Sequence, residues 1–385
     1  MILKVFVMKN IPFNKPTYLG QEEQLVLDVI GSKSYSGSGK FSKKCTSLFN
    51  KKIKSLESFF VPSGTAALEM ALMLIDIKPG DEVILPSYTF SSCATAVVLH
   101  GGTPVFVDSS LEDFNISIEQ IIKSINKKTK AIMVMHYGGV ACEMEPIMEV
   151  TKRNKIFLIE DAAQSVGCFY KKRPLGSFGD LSAFSFHETK NINCGEGGIL
   201  CINNKKLLKR AYFLRDKGTN RESFINGDVN KYSWVDKGSS YLVSEFQAAF
   251  LFPQLKSLSA INKRRISIWN YYKSALARLE GSGHLKTLDI PMYKLHNGHI
   301  FSILLRSSKD RDSLIAFLKK RNIATATHYV PLHSSKAGKK YGKCYQNIKI
   351  TNQIYSYSLR LPIFDKLTFD DAKHVIKCIE SFFGK

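Results

Sequence analysis

The chain has 385 residues, of which 44% are hydrophobic and 23% are charged. This length and composition exclude a small domain that depends on disulfides or a metal, and they exclude a chain that is disordered overall. Lys and Arg number 55 against 33 Asp and Glu, and the resulting formal charge of +22 favours anionic partners. Because the basic residues lie in short groups along the whole chain, we interpret them as a solvated surface that attracts an anionic substrate. We expect no nucleic-acid binding.

The eight cysteines contain no C-x-x-C pair and have no neighbouring histidine at metal-ligand spacing, so we expect no metal site. Several lie in apolar runs, as Cys201 does in GILCIN, which is typical of free thiols in a reducing compartment. The N-terminal MILKVFVM is too short for a signal peptide, and no apolar run reaches the ~18 residues of a membrane helix. We therefore expect a cytoplasmic protein without a membrane partner, whose translation starts at Met1 or Met8.

The apolar pattern from about residue 60 onward predicts alternating helices and strands. Strong helix formers after a Ser-Gly-Thr turn predict a buried helix over 65–75. Strand-like apolar runs follow at 83–85, 104–108, 131–135, 156–160, 182–186 and 198–203. Nearly continuous apolar runs are typical of parallel strands covered on both faces, and the longer segments between them can supply crossover helices. The pattern therefore predicts an α/β fold.

The pattern changes after about residue 245, where a long helical stretch begins that we expect to break near Pro253. Residues 280–298 are rich in Gly, Pro and Asn and are predicted to form a loop. The later predicted elements are a strand at 300–305 and helices at 311–321 and 369–383. We therefore predict two domains, a large one over 1–250 that includes an N-terminal arm and a small α/β one over 251–385.

A carboxylate ends one of the predicted strands. In LIEDAAQS, Asp161 follows the strand directly and Gln164 lies three positions further on. Ligands of open α/β sheets bind at the carboxyl edge of the strands, where Asp161 could hold a cationic or protonated heterocyclic nitrogen. The alternative is a helix cap, because Asp before Ala-Ala-Gln often accepts the first amides of a helix.

A lysine beside a glycine cluster is the second candidate. Lys190 follows the predicted strand at 182–186 and precedes Gly195, Gly197 and Gly198. A partly buried lysine can have a lowered pKa and form a Schiff base with an aldehyde cofactor, and glycines let the backbone approach a ligand. A lone lysine is more often a surface residue, and it is the surroundings that favour catalysis. They include Ser185, which can donate to a phosphate or can simply be half-buried.

The Ser-Gly-Thr turn before the first predicted helix is a candidate anion site. The free amides and the dipole of a helix N-terminus favour a phosphate at Gly64, Thr65 and Ala66. The chain has neither a Walker G-x-x-x-x-G-K-[ST] loop nor a G-x-G-x-x-G motif after its first strand, which disfavours a nucleotide hydrolase and a dehydrogenase. Tyr88 and Phe90 follow the strand at 83–85, where an aromatic ring could stack on a flat cofactor or could pack in the core.

These pieces together describe a pyridoxal phosphate site. They are, in chain order, a phosphate cradle, an aromatic shelf, a carboxylate for a ring nitrogen and a Schiff-base lysine. The carboxylate would keep the pyridine nitrogen protonated, and the lysine would anchor the cofactor and move protons in the reaction.

The sequence blocks that carry these residues resemble those of a known family, the fold-type-I sugar-nucleotide aminotransferases of the DegT family. The similar blocks are SGTAAL, GDEVILPSYTF, EDAAQS, FSFHETKN followed by GEGG, and YVPLH, in the order of that family. Further segments resemble the branch that makes dTDP-4-amino-4,6-dideoxygalactose, namely IPFNKP, HYGGVACEM, KGTNR, KYSW and GSSYL. The resemblance implies a large domain with a mostly parallel seven-stranded sheet, a smaller C-terminal α/β domain and pyridoxal 5'-phosphate as cofactor.

The resemblance also implies roles for individual residues. Lys190 would carry the cofactor, Asp161 would face its pyridine nitrogen and Gln164 would lie near its phenolic oxygen. Phe90 would stack on the ring, and Ser185 would hold the phosphate. The complete implied cofactor set is Gly64, Thr65, Ala66, Phe90, Asp161, Gln164, Ser185 and Ser240, and the residues expected to contact the sugar are Tyr88, His187, His328, Tyr329 and His333.

Two positions depart from the family pattern. Ser240 stands where many relatives have an Asn from the partner subunit, and Leu242 replaces the Arg of the same G-x-N-x-R block. The phosphate contact from the second subunit is therefore lost or is made by a shorter side chain. Glu188 replaces a common Pro, as it does in the branch that forms the 4-aminogalactose.

The implied activity is the transfer of an amino group from L-glutamate to C4 of dTDP-4-keto-6-deoxyglucose by a homodimer with its active sites at the interface. Amino sugars of this kind commonly enter surface polysaccharides. The alternatives are amination at C3, a UDP- or GDP-linked substrate, and a non-catalytic homologue that binds a sugar nucleotide. A related dehydratase would have histidine in place of Lys190.

Overall fold

The computed structural model describes residues 10–384, so the alternative start at Met8 lies outside the described residues. The strands are β1 (Glu57–Val61), β2 (Glu82–Pro86), β3 (Thr103–Val107), β4 (Thr129–Met135), β5 (Phe157–Asp161), β6 (Phe169–Tyr170), β7 (Arg173–Pro174), β8 (Leu181–Ser185), β9 (Gly198–Ile202), β10 (Leu285–Thr287), β11 (Lys294–Leu295), β12 (Phe301–Leu305) and β13 (Ser358–Leu361). The helices are α1 (Glu22–Ser32), α2 (Lys40–Ile53), α3 (Gly64–Leu74), α4 (Ser91–Leu99), α5 (Ile118–Ser124), α6 (Met144–Asn154), α7 (Lys205–Arg215), α8 (Arg221–Ile225), α9 (Glu245–Lys256), α10 (Leu258–Gly281), α11 (Ser308–Lys319), α12 (Lys336–Tyr341), α13 (Ile350–Tyr357) and α14 (Phe369–Phe382). None of the helices within residues 10–384 is long and apolar enough to cross a membrane.

The larger domain is built on a seven-stranded sheet in the order β1-β9-β8-β5-β4-β2-β3. Its strands are parallel except for β9, which is antiparallel to both of its neighbours. All six runs that were predicted as strands between residues 83 and 203 lie in this sheet, and β1 joins them at one edge. The predicted mostly parallel seven-stranded sheet is therefore confirmed, and the carboxyl ends of β2, β4, β5 and β8 meet at one edge.

Helix α3 packs on β8 and β9 and is covered by α4 and α7. Its N-terminus is defined by Ser63, whose Oγ accepts a hydrogen bond from the amide of Ala66 at 3.0 Å. Ala67, Met70 and Ala71 are fully buried, as expected for a helix between two layers. This packing directs the first turn of α3 toward the carboxyl edge of β8.

Two glycines allow α3 to approach the sheet so closely. A Cβ at Gly64 would lie 2.9 Å from the Cβ of Ser185, and a Cβ at Gly198 would lie 2.4 Å from the carbonyl carbon of Ser63. Any larger residue at Gly198 would displace backbone, so the turn before α3 and the start of β9 are in direct contact only because this position has no side chain.

The smaller domain contains the antiparallel sheet β10-β12-β13, which is covered by α10, α11 and α14. The arm before α1 joins this domain: Ile11 is buried in its core and exchanges backbone hydrogen bonds with Asn322 and Ala324. The predicted loop over 280–298 is interrupted by β10 and β11, and β11 pairs with β6 of the larger domain.

The long helical stretch after residue 245 breaks at Ser257, between α9 and α10, and Pro253 lies inside α9. The expected break near Pro253 is therefore displaced by about one helical turn. The prolyl residue removes only one amide donor, and its carbonyl still accepts a hydrogen bond from Ser257 at 3.1 Å.

The hydrophobic clusters suggest where the two domains meet. Leu255, Leu258 and Ile261 pack in one cluster with α2 and β9, whereas Ile268 and the rest of α10 pack in the core of the smaller domain. A boundary at 250/251 would divide α9, so we propose that the domains divide within α10, between Ile261 and Ile268.

Asp108 attaches the smaller domain to the end of β3. It is 4% exposed, and its carboxylate accepts the amides of Lys349, Ile350 and Thr351 at 2.8, 2.8 and 2.6 Å, which belong to the residue before α13 and to its first two residues. Asp108→Ala would leave these three donors without an acceptor. We expect it to lower the free energy of unfolding by about 2–4 kcal/mol, measured by urea denaturation.

The matched control is Asp289→Ala, which removes an exposed carboxylate of the smaller domain. It is expected to change stability by less than about 0.5 kcal/mol. Equal stability of the two variants would show that Asp108 does not hold α13.

Candidate active site

A cavity of about 570 Å³ lies at the carboxyl edge of the large sheet. The larger domain lines it with Asp161 from the end of β5, Ser185 from the end of β8 and Lys190 from the following turn. Tyr329 and Arg360 line it from the part of the chain that follows β12. The cavity therefore lies where the two domains face each other.

Asp161 is 5% exposed and has a defined orientation. Its Oδ1 accepts the amide of Ala163 at 3.0 Å, and its Oδ2 accepts the thiol of Cys93 at 3.0 Å. The alternative interpretation of Asp161 as a helix cap is wrong, because no helix begins in the described chain between residue 162 and α7 at Lys205. The hydrogen bond to Ala163 instead closes a local turn and leaves the carboxylate facing the cavity.

Lys190 lies on the turn between β8 and β9, and its Nζ makes no hydrogen bond with the described residues. Burial lowers the pKa of the Lys190 amine to about 8. The nearby Asp161 carboxylate opposes this shift, and the Arg360 guanidinium adds to it. A larger share of this lysine is therefore uncharged near neutral pH than in a solvated lysine, which is the state that a nucleophile requires.

The first turn of α3 and the end of β8 form an anion cradle. The amides of Gly64 and Thr65 have no hydrogen-bond partner within the described chain, whereas that of Ala66 is used by Ser63. Ser185 Oγ lies beside Gly64, and it accepts the amide of His187 at 3.3 Å. Free amides at a helix N-terminus together with a hydroxyl group are a suitable site for a phosphate.

Gln164 and Tyr329 close one side of the cavity together. Gln164 accepts the amide of Gly138 at 2.7 Å through Oε1 and donates to the hydroxyl of Tyr329 at 2.8 Å through Nε2. Phe90 is 58% exposed at the same cavity, with its ring centroid 6.4 Å from that of Tyr329. An exposed aromatic ring in a cavity is available for stacking on a planar ligand.

His328 and His187 also line the cavity, in different surroundings. His328 stacks on Tyr329 with ring centroids 4.0 Å apart and contacts Arg360 through Nε2. Burial and the Arg360 charge lower the pKa of His328 to about 2, so the imidazole is neutral. His187 is partly exposed and lies 3.6 Å from Glu196, which also lines the cavity.

Four residues that were predicted from the sequence do not line this cavity in the described chain, and one of them is Ala66, whose amide is bonded to Ser63. Tyr88 is fully buried, and its hydroxyl donates to the carbonyl of His328 at 2.7 Å, so it packs in the core beneath the cavity. His333 bonds to Ser87 through Nδ1 at 2.6 Å. Ser240 is exposed on the surface, outside the cavity. The sequence pattern alone does not show which of Tyr88 and Phe90 faces the cavity. Both residues lie within four positions of the end of β2, and they are two positions apart, which is the period of a strand.

The structure adds three residues that sequence reasoning missed. Cys93 orients Asp161, His299 is bonded to Asn191 through Nδ1 at 2.9 Å next to Lys190, and Arg360 lines the cavity. A signal for Arg360 was present, because it is the one charged residue in the mostly apolar run SLRLP. The other two come from distant segments, and only the fold brings them to the site.

The residues present fit pyridoxal phosphate. The free amides of α3 can hold its phosphate, the buried Asp161 carboxylate can bind a protonated ring nitrogen, and the unbonded Lys190 amine can react with its aldehyde. The fold and this site together define a pyridoxal-phosphate-dependent transferase.

Comparison with known proteins agrees with this class. Residues 17–380 match the model of the DegT/DnrJ/EryC1/StrS aminotransferase family. The chain belongs to this family and is a fold-type-I, pyridoxal-phosphate-dependent sugar aminotransferase. The resemblance of its sequence blocks to the family is thereby confirmed.

Three similar proteins illustrate the match. An uncharacterised protein of Methanocaldococcus jannaschii is 33% identical over 94% of this chain and 95% of its own length. GDP-perosamine synthase of Escherichia coli O157:H7 is 32% identical over 98% of this chain and 100% of its own length. The structure of an aminotransferase from Psychrobacter cryohalolentis superposes with a TM-score of 0.91 at 26% identity, covering 98% of this chain and 99% of the other.

The lowered pKa of Lys190 predicts how stability depends on pH in the cofactor-free protein. Between about 8 and the usual value of 10.5, the unfolded state binds more protons at this lysine than the folded state does, so its contribution to stability rises with pH. Below pH 8 the lysine is charged in both states and its burial destabilises the folded protein. Lys190→Met is therefore expected to raise stability at pH 7 and to remove this part of the rise.

The measurement is urea denaturation of both cofactor-free proteins between pH 7 and 10, with the exposed Lys206→Met as control. Other groups titrate in all three proteins and cancel in the differences. A constant difference between Lys190→Met and wild type over this range would contradict the lowered pKa.

Proposed function

We propose that the protein transfers an amino group from L-glutamate to C4 of dTDP-4-keto-6-deoxy-D-glucose and so forms dTDP-4-amino-4,6-dideoxy-D-galactose. The observation that carries the chemistry is that an unbonded Lys190, a buried Asp161 and the free amides of α3 share one cavity. The support for the sugar is the set of segments from IPFNKP to GSSYL, which resemble the branch of the family that makes this product.

Bound pyridoxal phosphate supplies the electron-accepting ring through which an amino group passes from donor to sugar. In this proposal Gly64, Thr65 and Ser185 hold the phosphate. The amide of Ala66 is bonded to Ser63, so Ala66 would not bind the phosphate directly and would contribute only as part of α3. Asp161 keeps the ring nitrogen protonated, and Cys93 keeps the Asp161 carboxylate in place. Lys190 then carries the proton to and from the substrate carbon, because its pKa near 8 suits both directions of transfer.

Gln164, Phe90 and the smaller domain would shape the rest of the site. Gln164 is bonded on both sides and so presents its amide in one position, near the phenolic oxygen in our assignment. Phe90 would stack on the cofactor ring. His187, His328 and Tyr329 are the sugar-contact candidates that line the cavity. Tyr88 and His333 do not line the cavity and would act only indirectly, by packing beneath the residues that do.

A second candidate is the same reaction on a GDP-linked keto-deoxysugar. It is favoured by the 32% identity to GDP-perosamine synthase over almost the whole chain. The cofactor site is the same for both candidate functions, so they differ only in the nucleotide and the sugar that the enzyme accepts.

The test is to supply purified protein with pyridoxal phosphate and glutamate and then with dTDP- or GDP-linked 4-keto-6-deoxysugar, and to identify the product by mass and NMR. We expect turnover of the dTDP sugar with kcat/KM at least about 10-fold above the GDP sugar, and an amino group at C4. Amination at C3, or preference for GDP, would replace the proposed substrate and retain the reaction class.

Two variants link this activity to the site. Lys190→Ala should lose the visible absorption of the lysine-bound cofactor and all turnover, because no other described amine lines the cavity. Asp161→Asn should fold and bind cofactor but turn over more slowly by at least about 100-fold, because it cannot hold a protonated ring nitrogen by charge. A wild-type rate in either variant would refute the role that we assign to the substituted residue.

We further propose a homodimer whose interface includes the segment from α8 to residue 240. This segment exposes large apolar side chains: Trp234 is 80% exposed, Ile225 61% and Tyr232 54%. Isolated exposed apolar residues are common, but three in one short segment are typical of an interface. Ser240 is exposed on the same segment, from which it could reach the phosphate of a partner's site.

Trp234→Glu is expected to weaken dimer formation at least about 10-fold in analytical ultracentrifugation, because it places a charge in an apolar interface. Phe369→Glu changes an exposed aromatic residue on α14 and is the matched control. A wild-type monomer at micromolar concentration would refute the dimer, and an undisturbed Trp234→Glu dimer would refute this interface.

The cytoplasmic location also stays a prediction. It is supported by the cysteines, which are all free thiols, seven of them buried.

A further inference from the structure

His299 is a buried histidine of the active-site cavity to which the proposed function gives no role. It is 7% exposed, lies two residues before β12 and lines the cavity together with Lys190. Both residues also line a second cavity of about 10 Å³, which shares Gln164 and Ser185 with the first. The backbone amide of His299 donates to Asn297 Oδ1 at 3.0 Å. The imidazole is therefore held close to the lysine.

The side-chain amide of Asn191 is oriented by its hydrogen bonds. Its Nδ2 donates to Asn262 Oδ1 at 2.9 Å and to the carbonyl of Asn297 at 3.0 Å. Asn262 Oδ1 is an acceptor, because Asn262 uses its own Nδ2 to donate to the carbonyl of Val166 at 3.0 Å. This network assigns Oδ1 of Asn191 to the side that faces His299.

This orientation fixes the tautomer of His299. Its Nδ1 lies 2.9 Å from Asn191 Oδ1, which can only accept, so Nδ1 carries the ring hydrogen. In the neutral ring the other nitrogen, Nε2, then carries a lone pair. Nε2 makes no hydrogen bond with the described residues and is not one of their enclosed polar atoms, so it is open to the cavity. Since Asn191 follows Lys190 directly, the turn that presents the lysine also sets the state of the histidine.

The surroundings keep this ring neutral. Burial lowers the pKa of His299 well below its usual value. The positive charges that its neighbours carry when protonated lower this pKa further, and these neighbours are Lys190, Arg265, Arg360 and His328. His299 is therefore a hydrogen-bond acceptor through Nε2 and not a base that takes the proton from a lysine.

Nε2 of His299 is the free acceptor that the Lys190 amine lacks. Nζ of Lys190 is a donor without a hydrogen bond to the described residues. Three residues with a side-chain acceptor line both cavities together with Lys190, namely Gln164, Ser185 and His299. Gln164 Oε1 and Ser185 Oγ each accept a backbone amide already, at 2.7 and 3.3 Å. Of the three, only His299 has an acceptor that no described donor uses.

We propose that His299 is a positioning residue whose Nε2 accepts a hydrogen bond from the Lys190 amine while that amine holds the proton of the reaction. The inference rests on the proposed function in that Lys190 is the amine that carries this proton. The structure holds Lys190 without the bond, and rotation about the four side-chain bonds of a lysine lets its amine approach Nε2. Because the neutral imidazole is a much weaker base than the lysine, the proton stays on Lys190. The bond fixes where the protonated amine lies and leaves its other hydrogens for the substrate carbon.

The test uses a pair of variants that differ by a single methylene group. His299→Asn keeps an amide that can donate to Asn191 but is too short to reach the position of Nε2. His299→Gln carries its amide oxygen to that position and can accept from Lys190. His299→Phe is a second variant without the acceptor, and it keeps the test valid if the asparagine variant folds poorly.

The control is His296→Asn. His296 lies in the same connection between β11 and β12, but it lines another cavity, where its ring packs against Trp269 with centroids 4.5 Å apart. The control therefore removes a second imidazole of this connection without removing an acceptor from the active-site cavity.

Three measurements are made on each protein. The first is the rate at which the cofactor-free protein gains visible absorption with pyridoxal phosphate between about pH 6 and 10, which rises as the Lys190 amine loses its proton. The second is kcat and KM for glutamate and the keto sugar. The third is urea denaturation of the cofactor-free protein, which reports any structural cost.

His299→Asn and His299→Phe remove the acceptor that stabilises the protonated amine. The midpoint of their pH profile should therefore fall by about one unit, as expected for the loss of a hydrogen bond to a charged group. Their kcat should fall at least about 10-fold while KM changes less than about threefold, because the bond acts on the proton carrier and not on substrate binding. His299→Gln should stay within about 0.3 unit of the wild-type midpoint and within about threefold of its kcat. His296→Asn should resemble wild type in both readouts.

Several outcomes would overturn the inference. One is a wild-type midpoint in both His299→Asn and His299→Phe. Another is an equal loss in His299→Gln and His299→Asn, because the acceptor would then not be the cause. A third is the same shift in His296→Asn, which would indicate a structural effect that follows the urea stabilities.

Failure of the proposed function gives a different result. If wild type gains the absorption with pyridoxal phosphate but aminates neither keto sugar, the proposed function is wrong, and the pH midpoints still decide the role of His299. If Lys190→Ala gains the same absorption as wild type, Lys190 is not the reacting amine and both proposals fail.

Discussion

The electrostatic interaction between Asp161 and Lys190 is the constraint around which the rest of the site is arranged. Both groups lie at one enclosed cavity, where burial disfavours charge and proximity favours it. The carboxylate is kept in place by a thiol and an amide, whereas the amine is left without a hydrogen bond. The Asp161 carboxylate is thereby held in position to bind a ligand, and the Lys190 amine is free to react.

The glycines at the start of α3 and β9 make this arrangement compatible with an anion site. They allow the first turn of α3 to touch the end of β8, so that free amides lie beside Ser185 and a few residues from Lys190. The smaller domain then encloses the cavity with Tyr329, His328 and Arg360. Partial burial of these side chains strengthens the polar contacts between them, and Arg360 has no carboxylate within ion-pair distance among the described residues.

Predictions from sequence succeeded where the signal was local. A strand that ends in Asp161, a lysine before glycines and a Ser-Gly-Thr turn before apolar helical residues can each be read within about 15 residues, and the structure brings all three together. They failed where a residue's surroundings come from elsewhere in the chain. Tyr88 and Phe90 belong to the same short motif, yet contact with His328, 240 residues away, puts Tyr88 in the core.

The sequence by itself determined the α/β fold, the cofactor class and the family, because these depend on apolar periodicity and on short motifs whose chemistry is local. The tertiary structure decided which candidates share a cavity, where the long helix divides, and that Arg360 faces the site without a counter-ion. The physical reason is that burial and charge balance depend on contacts between distant segments. The role of a strand residue such as Arg360 or of a thiol such as Cys93 cannot be inferred from the sequence, because it depends on neighbours that come from distant segments.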